Sequence, residues 1–87
     1  MNLMHTAVDI NATFNTLGDI KPIYIRLENE RHELETYKIQ RITNEKCEKY
    51  SGINSFLFCC IVQIDNIEKE IKIRYYLDSH KWVLVNG

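Results

Sequence analysis

A chain of 87 residues suffices for one hydrophobic core and not two, because a chain of this size buries only roughly 60–65% of the surface it exposes when unfolded. It is 45% apolar and 26% charged with no Pro/Gly/Ser-rich or low-complexity stretch, which reads as a single folded domain over residues 1–87 with no linker. A formal net charge of −1 excludes a global positive field that would gather phosphate backbone.

The residue mix favours strand over helix: twelve Ile and four Val stand against two Ala, with five Tyr, three Phe and one Trp. β-Branched and aromatic side chains suit a pleated, half-buried surface, whereas Ala-poor stretches make weak helices. From Thr6 to Asn15, Val8, Ile10, Ala12 and Phe14 alternate with Asp9, Asn11, Thr13 and Asn15, and this alternation predicts a first strand. Thr16–Asp19, with Gly18 free to take a positive φ, supplies the turn. The second strand, Ile20–Leu27, buries Ile23, Ile25 and Leu27 and exposes Tyr24 and Arg26. Pro22 has no amide hydrogen and belongs at that strand's start or on a sheet edge.

Glu28–Glu33 carries four charges and an Asn, too polar to pack, and forms the second turn. Over Leu34–Thr43, Tyr37 and Ile39 share a face but Ile42 follows three residues later, which predicts a β-bulge near Gln40–Arg41 and a bend towards closure. Asn44–Gly52 is polar without a clear pattern and reads as a connection into which the third strand extends in part. Phe56–Ile64 is apolar on both faces over most of its length, as a central strand is. Asp65-Asn66 makes a two-residue hairpin, since both types tolerate left-handed backbone angles.

The fifth strand directs Ile71, Ile73, Tyr75 and Leu77 inward and Lys72, Arg74, Tyr76 and Asp78 outward. Asp78–His80 turns the chain into a last short strand, Lys81–Val85, with Trp82 and Leu84 inward. A helix over Ile64–Ile73, or in the first few residues, fits less well. The expected fold is all-β: a single small antiparallel barrel or strongly curved sheet of about six strands, SH3-like in preference to OB-like, because few strands protect their edges best by curling.

Three cysteines, Cys47, Cys59 and Cys60, lack the even spacing of a disulfide framework and suit a reducing compartment. The opening Met1–Asp9 has no basic region followed by an apolar run, and no apolar stretch approaches the ~20 residues of a membrane span. A cytoplasmic location without membrane association is expected. Cys59 and Cys60 point to opposite faces of a strand, one core and one outward.

Catalytic chemistry needs a nucleophile, a base and a group that orients the base. His5, His32 and His80 fall in the terminus or in turns and sit in no motif with Ser or Cys. Asp78 and His80 invite a dyad, but Asp-Ser-His is accounted for by turn chemistry. Adjacent Cys59 and Cys60 cannot chelate one ion, and a zinc site from Cys47, His32, His80 and a core Cys requires the fold to gather them. The expectation is no enzyme, no cofactor and no metal.

Two surface readings remain. Tyr24 with Arg26, and Arg74 with Tyr76 beside Lys72, interleave aromatic and basic groups as small barrels do for single-stranded nucleic acid or peptides. Leu57, Ile61, Val83 and Val85 are apolar groups on outward faces and suit an interface with a protein partner or a second copy.

Along the whole chain, Val8-x-Ile10-x-Ala12-x-Phe14, Gly18, Pro22, Tyr37-x-Ile39-x-x-Ile42, Gly52, Cys60, Ile73-Arg74-Tyr75-Tyr76 and Trp82-x-Leu84 resemble the pattern of small uncharacterised domains of low-GC Gram-positive bacteria and their mobile elements. These are core and turn positions, so the resemblance implies a fold and no activity. The expected function is a non-enzymatic protein-interaction or self-assembly module, with single-stranded nucleic-acid binding as the alternative.

Overall fold

A computed structural model describes residues 5–85. Six strands, β1 (His5–Phe14), β2 (Ile20–Glu28), β3 (Leu34–Tyr50), β4 (Ile53–Ile64), β5 (Ile67–Tyr76) and β6 (Lys81–Val85), follow one another without a helix. Each pairs antiparallel with the next, and β6 returns to β1 through Val85–His5 and Trp82–Val8, closing a barrel in sequence order. The all-β antiparallel barrel read from the sequence is the fold observed. His5 opens β1 rather than lying outside the sheet. The first few residues, where a helix was the alternative, lie outside the described residues.

Two of the turns are copies of each other. In the β1–β2 turn Asn15 Oδ1 accepts from the amides of Leu17 and Asp19, both at 2.9 Å, while the Asn15 amide donates to Asp19 O at 3.0 Å. In the β2–β3 turn Asn29 Oδ1 accepts from Arg31 at 2.8 Å and Glu33 at 3.0 Å, and the Asn29 amide donates to Glu33 O at 2.8 Å. The fourth residue of each takes a left-handed backbone, Gly18 at φ 88° and His32 at φ 63°. An Asn side chain thus satisfies loop amides that would otherwise go to water. The β4–β5 hairpin turns on Asp65 and Asn66, at φ 53° and 64°, the twist a two-residue hairpin needs.

Inside the barrel Ile25, Phe58, Cys60, Val62 and Ile73 have no exposed surface, and Val8, Ile10, Leu27, Tyr37, Ile64, Ile71, Trp82 and Leu84 pack round them. Removing each large apolar side chain from water contributes roughly 1.5–3 kcal/mol. Spacing by three along β3 has the expected cause: Gln40 and Thr43 are bulged out of the β3–β4 register, so Ile39 faces Val62 and Ile42 faces Cys60 on the same inner side.

A third bulge sits at Ile23, between the Asn11–Tyr24 and Ala12–Pro22 pairs. Of the two places expected for Pro22, the start of β2 or a sheet edge, it takes the edge. It is buried two residues in, on a stretch that pairs with β1 alone, so its missing amide hydrogen costs no bond to β3. The segment Asn44–Tyr50 is strand, not a connection: β3 continues beside β4 to a tight turn at Ser51 and Gly52.

Candidate interaction surface

Alternation along β4 places Leu57, Cys59 and Ile61 on the outside, between the buried Phe58, Cys60 and Val62. Register carries this outer row across two more strands. Leu57 pairs with Arg74 and Arg74 with Val83, while Cys59 pairs with Lys72 and Lys72 with Val85. Ile61 lies opposite Glu70. All four residues singled out as interface candidates, Leu57, Ile61, Val83 and Val85, thus share the β4–β5–β6 wall, each half-buried. Lys72 and Arg74 run between the apolar pairs, and their methylene stems cover part of that surface.

Arg74 is fixed rather than free. Its Nη1 donates to the Glu48 carboxylate on β3 and, at 3.0 Å, to the Ser55 hydroxyl on β4, leaving its side chain 18% exposed. Ser55 is buried beneath this bridge and also donates to Glu48 O at 3.4 Å. The Arg74 guanidinium holds the Glu48 carboxyl below its ordinary 4.5, with Lys46 Nζ 3.7 Å away adding to the effect. Arg74 is thus paired within the chain, whereas Glu70 and Lys72 are exposed between the apolar groups and make no ion pair among the described residues, so the wall offers a partner half-buried apolar groups interleaved with charge.

The aromatic–basic set is divided. Tyr24 and Arg26 lie outward on β2, Arg74 and Tyr76 outward on β5, and three strand positions separate β2 from β5 in either direction round the barrel. Those are opposite walls, with no continuous track joining them. On the β2 wall Arg26 faces Asp9 at 3.6 Å, and Tyr24, Arg26, Asn11 and Thr36 line a shallow groove together with Ile10 and Ile25.

Histidines and cysteines are likewise dispersed. His32 sits in the β2–β3 turn at one end of the barrel, His80 and Cys47 towards the other, and Cys60 is enclosed in the core. Among the described residues no group of three or more His, Cys, Asp or Glu is placed to hold a metal ion. His80 meets Tyr75 instead of Asp78, with its Nδ1 2.9 Å from the Tyr75 hydroxyl. Burial pushes the Cys60 thiol up to about 12.

Periodicity gave no indication of an aromatic group at the end of the barrel that carries the β1–β2 and β5–β6 turns. Tyr75 and Trp82 pack with ring centroids 4.8 Å apart, Trp82 stands 5.8 Å from Phe58, and Phe14 meets Tyr75 edge-on at 6.4 Å. Phe14 is 60% exposed and Leu17 beside it 84% exposed, so the group reaches solvent at its rim.

Fold and surface together define a small closed antiparallel β-barrel whose β4–β5–β6 wall mixes half-buried apolar groups with charged ones. No helix among the described residues is long and apolar enough to cross a membrane. Comparison with protein-family models, with curated proteins and with solved structures finds no match to this chain.

Proposed function

We propose that this protein is a non-enzymatic interaction module, an SH3-like small barrel that binds protein, a second copy of itself included, through the β4–β5–β6 wall. The observation that supports this reading is the register of Leu57–Arg74–Val83 and Cys59–Lys72–Val85, which puts apolar groups of β4 and β6 on one wall, on either side of the long side chains of Arg74 and Lys72. Apolar groups interleaved with long charged side chains, whose stems are themselves apolar, are ordinary in non-obligate protein contact surfaces. Three free thiols, with Cys47 exposed, support a reducing, cytoplasmic setting.

Dilution of isotope-labelled protein from about 1 mM to about 50 μM, followed by NMR, tests self-binding in the range where modest interfaces associate. Shifts concentrated at Leu57, Ile61, Val83 and Val85 are the expected result. Shifts confined to Tyr24, Arg26 and the β1–β3 groove upon addition of a short oligonucleotide, with the wall unmoved on dilution, would replace this reading with single-stranded nucleic-acid binding.

A further inference from the structure

β3 outruns its neighbour. Its pairing with β2 stops at Tyr24–Lys38, while its pairing with β4 continues from Ile39 to Tyr50. Among the described residues, the backbone of Thr43–Lys49 therefore has a partner strand on one side only. Such an edge presents amide and carbonyl groups to any strand able to lie beside it. The sequence along it is Glu45-Lys46-Cys47-Glu48-Lys49, exposed at every position but the half-buried Glu48.

This segment is complementary to itself. Laid antiparallel to a second copy about Cys47, it sets Glu45 against Lys49 and Lys46 against Glu48 in both halves, with the two Cys47 residues opposite each other. A slip of one residue brings Glu45 against Glu48 or Lys46 against Lys49. A slip of two brings Lys46 against Lys46 or Glu48 against Glu48. Opposite charges directly across a strand pair favour it and like charges oppose it, so among these neighbouring registers, all of them two-fold symmetric, charge selects the one centred on Cys47.

We infer that the β3 edge is a self-recognition site at which a second copy of this chain docks antiparallel, centred on Cys47. The contact is separate from the β4–β5–β6 wall and does not depend on it. Within the chain Glu45 and Lys49 lie opposite Phe58 and Asn54 on β4, and neither makes an ion pair among the described residues. Their charges are available to a partner. An edge of this length buries little area, so the pairing is weak, concentration-dependent and sensitive to salt.

Oxidation of the purified protein by diamide tests the inference. Diamide takes up two hydrogens as one Sγ–Sγ bond forms between two Cys47 thiols, and peptide mapping identifies the cysteines joined. Rates are taken relative to iodoacetamide alkylation of Cys47, which corrects for thiol reactivity, and circular dichroism verifies that each variant is folded. The expected product is a Cys47–Cys47 dimer whose relative rate falls about tenfold in E45K and in about 0.5 M salt. In E45K/K49E, which restores opposite charges in the same register, the rate recovers. An E45K rate equal to that of the unaltered chain, or a double variant no faster than E45K, overturns the inference.

Discussion

Arg74 reaches across β4 to the carboxylate of Glu48, tying β5 to the far part of β3 through a bridge that encloses Ser55. The bridge holds the Glu48 carboxyl below its ordinary 4.5. A carboxyl whose pKa is lower folded than unfolded contributes stability that is present above the unfolded value and lost as pH falls through the folded one. Stability of the unaltered protein should therefore decline as pH drops below about 4.5. Glu48→Gln should be less stable at pH 7 and show a shallower decline in acid, with urea unfolding across pH as the measurement. A parallel decline in both proteins would show that the bridge contributes nothing to folding.

The paired Asn turns give a second prediction. Asn29→Ala removes the acceptor for the Arg31 and Glu33 amides, and at ~0.5–1.5 kcal/mol per net hydrogen bond it should cost roughly 1–2 kcal/mol. His32→Gly should act oppositely. His32 occupies at φ 63° the place that Gly18 fills in the sister turn, and relief of the left-handed penalty, less the extra chain entropy, should gain about 0.5–1 kcal/mol. Denaturant midpoints measure both, and a destabilised His32→Gly would contradict the equivalence of the turns.

Phe58 is the largest fully enclosed side chain and lies 5.8 Å from Trp82, ring centre to ring centre. Phe58→Ala should cost ~3–5 kcal/mol through lost transfer energy and the cavity left behind. Trp82 fluorescence reports it directly, as an earlier unfolding midpoint with an emission maximum closer to that of the unfolded chain.

Thiol chemistry separates the cysteines. Cys47 is exposed, Cys59 half-buried, and Cys60 is enclosed with its thiol pushed up to about 12. At pH 8 Cys47 should be alkylated first and Cys59 more slowly, with Cys60 reacting only on unfolding, because the thiolate is the reactive form and must be reached by reagent. Mass spectrometry against time gives the order, and early modification of Cys60 would mean that the core opens locally.

Most of the barrel was legible because period-two alternation survives wherever one face is buried, as in Val8–Phe14 and Ile71–Trp82. Asn44–Tyr50 escaped because it runs beyond the β2–β3 pairing: Glu45, Cys47 and Lys49 stand on its inner side yet remain exposed, so no hydrophobic period marks the strand. Alternation also assigned Tyr24, Arg26, Arg74 and Tyr76 correctly to the outside, but it says nothing about which wall a strand occupies. Closure in sequence order put β2 and β5 on opposite sides. Burial of Arg74 against Glu48, 26 residues earlier, had no local signal at all. The Asn at the head of each of the first two turns did have one, an acidic residue four positions later at Asp19 and Glu33.

Light scattering across protein concentration at about 0.5 M salt, where exposed charge pairs are screened, tests the interaction wall most directly. A mass that rises with concentration in the unaltered chain, and stays monomeric in Ile61→Ser/Val83→Ser with circular dichroism unchanged, is the predicted result. A monomer at every concentration, or assembly untouched by the double substitution, would contradict self-assembly through the β4–β5–β6 wall.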